Sequence, residues 1–251
     1  MSFAALVLAG SRPGVDPLAG AEGKAHKALI EIEGRALLER VVTALREAGA
    51  EPIAVSCDHP QVMDLARALG ADVVPTGRGP SESVALAFEA LGAPLVVTTA
   101  DHALLEPRWI AALHEGTPAD ADVGLMLASR EQIEQVLPGS RRTYLRLADG
   151  EWSGCNLFYL RTVQARNAIA VWERVEADRK RPWRIVSRLG LGTLVAYALG
   201  RLTMAQGIAT LGKRMGVAAS LVKAPDGLAA VDVDKPDDLN DIRALLARGA
   251  G

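Results

Sequence analysis

Cysteine, aromatic residues, net charge and long apolar runs are all scarce in this chain of 251 residues. Cys57 and Cys155 are the only cysteines, and neither belongs to a CxxC or other ligand-spaced cluster. Neither a zinc site nor a disulfide framework is therefore expected. Aromatics make up 4% of the residues, which leaves little material for a base-stacking surface. The formal net charge of -2 removes the bulk electrostatic case for nucleic acid, and no nucleic-acid partner is expected. No stretch reaches the roughly 18 to 20 apolar residues of a membrane span. The first residues lack the basic start of a signal peptide, so a cytoplasmic protein is the expectation. What remains is 49% hydrophobic and 23% charged, long enough to bury the core of one α/β domain.

The most informative segment comes first. An apolar run, Ala4-Ala5-Leu6-Val7-Leu8, leads into Ala9-Gly10-Ser11-Arg12-Pro13-Gly14, and Lys24 and Lys27 follow. A continuous apolar run reads as a buried parallel strand. A glycine-containing loop at its end lets backbone N–H groups approach an anion, and nearby cations add the charge that phosphate prefers. The pattern suits a triphosphate cradle at the carboxyl end of the first strand.

Strand-like and helix-like segments then alternate. Strands are expected at 4–8, 52–57, 72–75, 95–99 and 123–128, and helices at 36–48, 60–69, 81–91 and 108–115. Gly49 and Gly70 stand where helix-ending glycines belong. This order predicts a mostly parallel sheet with helices on both faces. Later come strands at 144–148 and 155–160 around Asp149-Gly150, a helical stretch at 162–179, and an apolar, glycine-rich segment at 182–216. Strands at 219–222 and 229–233 and a helix at 236–247 close the chain. No repeat, linker or domain boundary stands out, so one domain spans 1–251, with an unusual, largely helical insertion at about 162–216.

Ligands of parallel sheets bind beyond the carboxyl ends of the strands, where three loops can converge. In the first, Arg12 and Lys27 would contact phosphates and Gly10 would permit close approach. In the second, Thr98-Thr99-Ala100-Asp101-His102, an acid just past a buried strand suits a divalent metal; magnesium takes one or two carboxylates plus phosphate oxygens. His102 is given a structural role. In the third, Asp232-Val233-Asp234-Lys235-Pro236, strand alternation would put both acids on one face, while Asp234 could also cap the last helix. Gly79 to Val84 places glycine before a helix N-terminus, a setting for anions or base edges. Gly154 and Asn156 could read an acceptor hydroxyl, and Cys155 reads as a small buried hydrophobe.

Taken in order, Leu8-Ala9-Gly10, Arg12, Gly14, Lys27-Ala28-Leu29, Gly34 and Leu37-Leu38-Glu39-Arg40-Val41 resemble the signature of nucleotidyltransferases with the GT-A-type fold, the molybdenum-cofactor (MobA-like NTP transferase) family and its sugar-phosphate and isoprenoid-pathway cousins. Thr99-Ala100-Asp101-His102-Ala103-Leu104-Leu105 looks like their metal-binding aspartate segment, and Asp232 to Leu239 is similar to their C-terminal D/N-x-P-E-D-L segment. The resemblance implies a Rossmann-like GT-A nucleotidyltransferase fold built on a mostly parallel, mixed sheet. It implies Asp101 and Asp234 (with Asp232 as the alternative) as ligands of Mg²⁺. Lys27 and Arg12, with Asp101, would be catalytic. Leu8, Ala9, Gly10, Ser11, Gly79, Ser83 and Ala100 would hold the nucleotide, and Asn156 and Gly154 the acceptor. Two departures stand out: the first loop reads Ala-Gly-Ser-Arg, and a longer insertion precedes Lys27, so Lys24 is an alternative to Arg12.

The implied reaction joins an NTP to a phosphorylated sugar, alditol or alcohol and releases pyrophosphate. Ser83-Val84 is closest to the cytidylyltransferase form of the base-reading loop and favours CTP. A glycosyltransferase on the same fold is the rival reading, but the position of its paired acids holds Asp101-His102-Ala103, with one acid. A noncatalytic adaptor is the third. It rests on Arg179-Lys180-Arg181-Pro182-Trp183-Arg184 and the apolar stretch that follows, which suit a membrane-surface contact through 179–216. Self-association as a homodimer is a further expectation.

Overall fold

The computed structural model describes residues 2–11, 14, 16–140, 142–177 and 190–249. In chain order the strands are β1 (Phe3–Leu8), β2 (Glu31–Ile32), β3 (Arg35–Ala36), β4 (Ala50–Ser56), β5 (Asp72–Val74), β6 (Leu95–Thr99), β7 (Val123–Ser129), β8 (Leu145–Leu147), β9 (Gly150–Leu160) and β10 (Ala219–Lys223). The described helices are α1 (Pro17–Ala21), α2 (Leu37–Glu47), α3 (Pro60–Ala68), α4 (Pro80–Leu91), α5 (Pro107–Gly116), α6 (Arg130–Val136), α7 (Ala165–Ala177), α8 (Leu191–Ala198), α9 (Met204–Met215) and α10 (Pro236–Gly249).

The main sheet has eight strands. Seven run in the order β10-β7-β9-β6-β1-β4-β5, and β8 pairs with β9. β1 is parallel to both β4 and β6, whereas β9 is antiparallel to β6 and β7. The sheet is thus the mixed, mostly parallel, Rossmann-like one that was expected.

Period-two alternation along β1 divides the core. Phe3, Ala5 and Val7 face a cluster built from α2, α3 and α5, including Val41, Leu45, Val62, Trp109 and Leu113. Ala4 and Leu6 face the opposite cluster, built on Val84 and Phe88 of α4 and Ile169 of α7. Burial on both faces explains why β1 and β6 read as continuous apolar runs. A third apolar cluster joins Leu18, Ile30, Leu37, Ala103, Val231, Val233 and Leu239, and so ties α1, the residues before α2, the loop after β6 and the C-terminal segment together.

Several elements differ from the sequence expectation. Residues 229–233 do not form a strand. Gly227–Ala230 is a 3-10 turn capped by the Asp226 side chain, which accepts from Leu228 N at 2.9 Å, and an extended segment follows. Its backbone meets the loop after β6 through Val233 N and Asp101 O, 3.0 Å. The short helices α1 and α6 went unpredicted, although each carries a legible start. Asp16 caps α1 with Pro17 at its first turn, and Ser129 with Gln132 forms a capping box on α6. Within 182–216 the described part, residues 190–216, contains α8 and α9; residues 178–189, which hold the whole basic run 179–184, lie outside the described residues.

Candidate active site

The loops after β1 and β6 and the segment before α10 meet at one lysine. Lys27 Nζ donates to Asp101 Oδ2 at 2.7 Å and to Asp234 Oδ1 at 2.8 Å. Local structure delivers Lys27: the His26 ring caps the 3-10 turn at 27–29, its Nδ1 accepting from Ala28 N at 3.0 Å. Burial alone would pull the Lys27 ammonium pKa down, but the two carboxylates outweigh it and the net shift is upward. Lys27 is therefore a fixed cation.

A cavity of about 370 Å³ opens beside this cluster. Leu8, Ala9, Gly10, Ser11 and Ala100 line it, with Lys27, Asp101 and Asp234. So does His26, which the sequence reading left without a role; its pKa is lowered, chiefly by burial, so the ring is a neutral cavity wall. Asp58, at the end of β4, accepts from Ser11 N at 3.2 Å and from Ser11 Oγ at 3.0 Å, which fixes the turn after β1.

Other expected residues sit elsewhere. Arg12 lies outside the described residues. Lys24 pairs with Glu31 and does not line the cavity. Gly79 and Ser83 lie at the start of α4 and are not among the cavity's lining residues. The Ser83 hydroxyl is used within its own loop, accepting from Gly77 N at 2.9 Å and donating to Gly79 O at 3.1 Å. Cys155 is buried, which pushes its thiol pKa up, and His102 is fully buried, stacked on Trp109, with a pKa lowered to about 4 by burial.

Asp232 and Asp234 part company, because the segment is not a strand and alternation does not apply. Asp232 is buried. Its Oδ1 meets Arg142 Nη1 at 2.7 Å and its Oδ2 accepts from Asn156 Nδ2 at 2.7 Å. Asn156 reaches it from an irregular stretch of β9. Gly154 pairs with Leu127 and Phe158 with Leu125, so three residues of β9 oppose Met126, and Asn156 takes φ +49°. Burial raises the Asp232 carboxyl pKa; Arg142 offsets part of that, and Asp101 and Asp234 add like charge. Gly154 is exposed beside this bulge. Arg142 was missed in the sequence, where nothing but a basic pair marks it.

The acids differ in their capacity for a metal. Both Asp232 oxygens are engaged. Asp101 keeps a buried Oδ1 with no hydrogen-bond partner, a group that is costly to leave unpaired. Among the described residues no group of three or more His, Cys, Asp or Glu side chains is arranged to hold a metal. A pair of carboxylates that leaves the remaining ligands to phosphate and water is the manner of magnesium, and Asp101 with Asp234 fits it.

A lysine-bridged acidic pair thus stands where the loops after β1 and β6 meet the segment before α10 of a Rossmann-like sheet. The MobA-like NTP transferase domain model matches residues 5–156, and the chain belongs to that family. A hypothetical transferase from Thermus thermophilus is similar, with 30% identity, TM-score 0.80, and 95% of this chain and 100% of that one covered. CMP:2-keto-3-deoxy-manno-octonic acid synthetase complexed with CTP shares the fold at 18% identity and TM-score 0.60, covering 98% of this chain and 99% of that one. The 2-C-methyl-D-erythritol 4-phosphate cytidylyltransferase of Thermus thermophilus does so at 17% identity and TM-score 0.53, covering 99% of this chain and 100% of that one. No curated protein sequence matches the chain.

Proposed function

We propose that this protein is a Mg²⁺-dependent nucleotidyltransferase that joins an NTP, with CTP favoured, to a phosphorylated sugar, alditol or alcohol. One acceptor phosphate oxygen attacks the α-phosphorus. The new O–P bond forms as the α–β bridging bond breaks, and pyrophosphate leaves with the electron pair. A phosphate monoester is a competent nucleophile near neutral pH, so the protein's work is alignment and charge neutralisation.

The observation that carries the reading is Lys27 between Asp101 and Asp234 on the wall of the cavity formed by the β1 loop. Asp101 and Asp234 would hold Mg²⁺, which supplies charge neutralisation on the phosphates. Lys27 keeps the two carboxylates together and presents a permanent ammonium to phosphate oxygens; Arg12 would add a second cation. The Leu8–Ser11 backbone would seat the nucleotide. Asn156 would orient the acceptor with Gly154 leaving it room, and Asp232 fixes the Asn156 amide. CTP is supported by the similar solved structures, one of them a synthetase complexed with CTP and another a cytidylyltransferase.

A pyrophosphate-release assay tests this, with each of CTP, GTP, UTP and ATP, Mg²⁺, and a panel of sugar, alditol and alkyl phosphates. Release that needs both a phosphate acceptor and Mg²⁺ is expected. Silence across the whole panel, or transfer from nucleotide-sugars without pyrophosphate, would overturn it.

A further inference from the structure

The His26 ring lines the cavity beside Lys27 and is 8% exposed. Its Nδ1 accepts from Ala28 N at 3.0 Å and so caps the turn that carries Lys27. A nitrogen that accepts carries no proton, so in the neutral ring the proton sits on Nε2. Protonating Nδ1 as well would set its N–H against that of Ala28, and burial lowers the ring's pKa, so the ring stays neutral. The cap thus fixes one tautomer, with Nε2–H as the donor. Among the described residues nothing accepts from it. A nearly buried donor needs an acceptor, and the cavity is where one can enter.

Strand order points to what enters. Across the sheet β9, β6, β1 and β4 stand side by side. Asn156 lies on β9, Asp101 follows β6, and Leu8 to Ser11 run on from the end of β1. His26 lies on the far side from Asn156, its ring 5.7 Å from that of His59, which follows β4. In the transfer proposed above, the attacking and leaving oxygens stand roughly in line through the α-phosphorus. An acceptor held at Asn156 therefore sends the leaving group toward the β4 side, where His26 is.

We infer that His26 Nε2 donates a hydrogen bond to an oxygen of the leaving pyrophosphate, beside the Lys27 ammonium. The inference rests on the nucleotidyltransferase reading of this site for the direction of transfer. Negative charge grows on the pyrophosphate oxygens as the α–β bridging bond breaks, so the hydrogen bond strengthens as the reaction proceeds. His26 keeps its proton throughout.

The test is calorimetric binding of inorganic pyrophosphate with Mg²⁺ to the full chain as wild type, His26→Ser and His26→Ala. Serine can cap the turn by accepting from Ala28 N but is too short to replace Nε2–H, and alanine does neither. Circular dichroism and thermal unfolding check that His26→Ser keeps the fold. A loss of about tenfold or more in pyrophosphate affinity in both variants is the expected result. If the ring merely positions Lys27 through the cap, His26→Ser binds pyrophosphate as wild type does and only His26→Ala is weakened, which overturns the inference. So does a wild type that binds no pyrophosphate. Pyrophosphate release from an NTP with the acceptor panel is scored separately. Its absence would sink the transferase reading, while the binding result still decides whether His26 holds pyrophosphate.

Discussion

Removing Arg142 should unbalance the buried acid beside the site. Asp232 is 7% exposed, and its two oxygens have one cation, Arg142, and one amide, Asn156. Arg142→Met leaves a buried carboxylate with the amide alone. Breaking such a pair from one side costs about 3–5 kcal/mol. In a domain of this size that corresponds to a melting point lower by about 6–20 °C. Arg142→Met with Asp232→Asn removes both charges and keeps an acceptor for Asn156, so it should recover to within about 1.5 kcal/mol of wild type. The pH dependence has a definite sign. Burial already raises the Asp232 pKa in the folded protein, and loss of Arg142 raises it further. A carboxyl whose folded pKa lies above its unfolded one favours folding when protonated, and that benefit is lost as pH rises through the folded pKa. The deficit of the single variant should therefore shrink on going from pH 8 toward pH 5. Urea denaturation followed by tryptophan fluorescence measures all of this. A deficit under about 1 kcal/mol, or a double variant no better than the single, would refute the reasoning.

Three further outcomes are expected. Gly227→Ala should destabilise by about 1–3 kcal/mol, because the added Cβ would sit 2.2 Å from the Gln132 carbonyl oxygen, and backbone there cannot step aside; chemical denaturation measures it. His102 is buried neutral with a pKa of about 4, while the unfolded chain takes up that proton near pH 6.5; stability of the metal-free protein should thus fall by about 3 kcal/mol between pH 6.5 and pH 4, and His102→Asn should flatten that slope in denaturation curves. Lys27→Met removes the cation shared by Asp101 and Asp234 and should lower kcat/KM for pyrophosphate release by about 10²–10³, with the fold retained by circular dichroism.

Much of the fold was legible because its signals are local. The apolar runs at β1 and β6, the glycines ending α2 and α3, and the alternation of strands and helices all follow from burial and backbone conformation. The meeting of Lys27 with Asp101 was readable too, from the rule that loops at strand ends meet, whereas Asp234, which follows no strand, was readable from the family resemblance alone. What escaped depends on distant partners. Residues 229–233 carry strand-like valines and alanines, yet Asp226 folds their first half into a turn and the β6 loop takes up Val233. Arg142 has no local pattern, since its meaning comes from Asp232, ninety residues further on. The Ser83 hydroxyl looked free to read a base but is bonded within its own loop.

The central claim is that the cavity beside Lys27 binds a nucleoside triphosphate through Asp101 and magnesium. Thermal unfolding of wild type and Asp101→Ala, with each of CTP, GTP, UTP and ATP, with and without Mg²⁺, tests it most directly. A ligand at 100 times its Kd adds about 2.7 kcal/mol. One triphosphate, expected to be CTP, should stabilise the wild type with Mg²⁺, and that metal-dependent gain should vanish in Asp101→Ala. No stabilisation by any triphosphate, or a metal-dependent gain that survives in Asp101→Ala, would contradict the account.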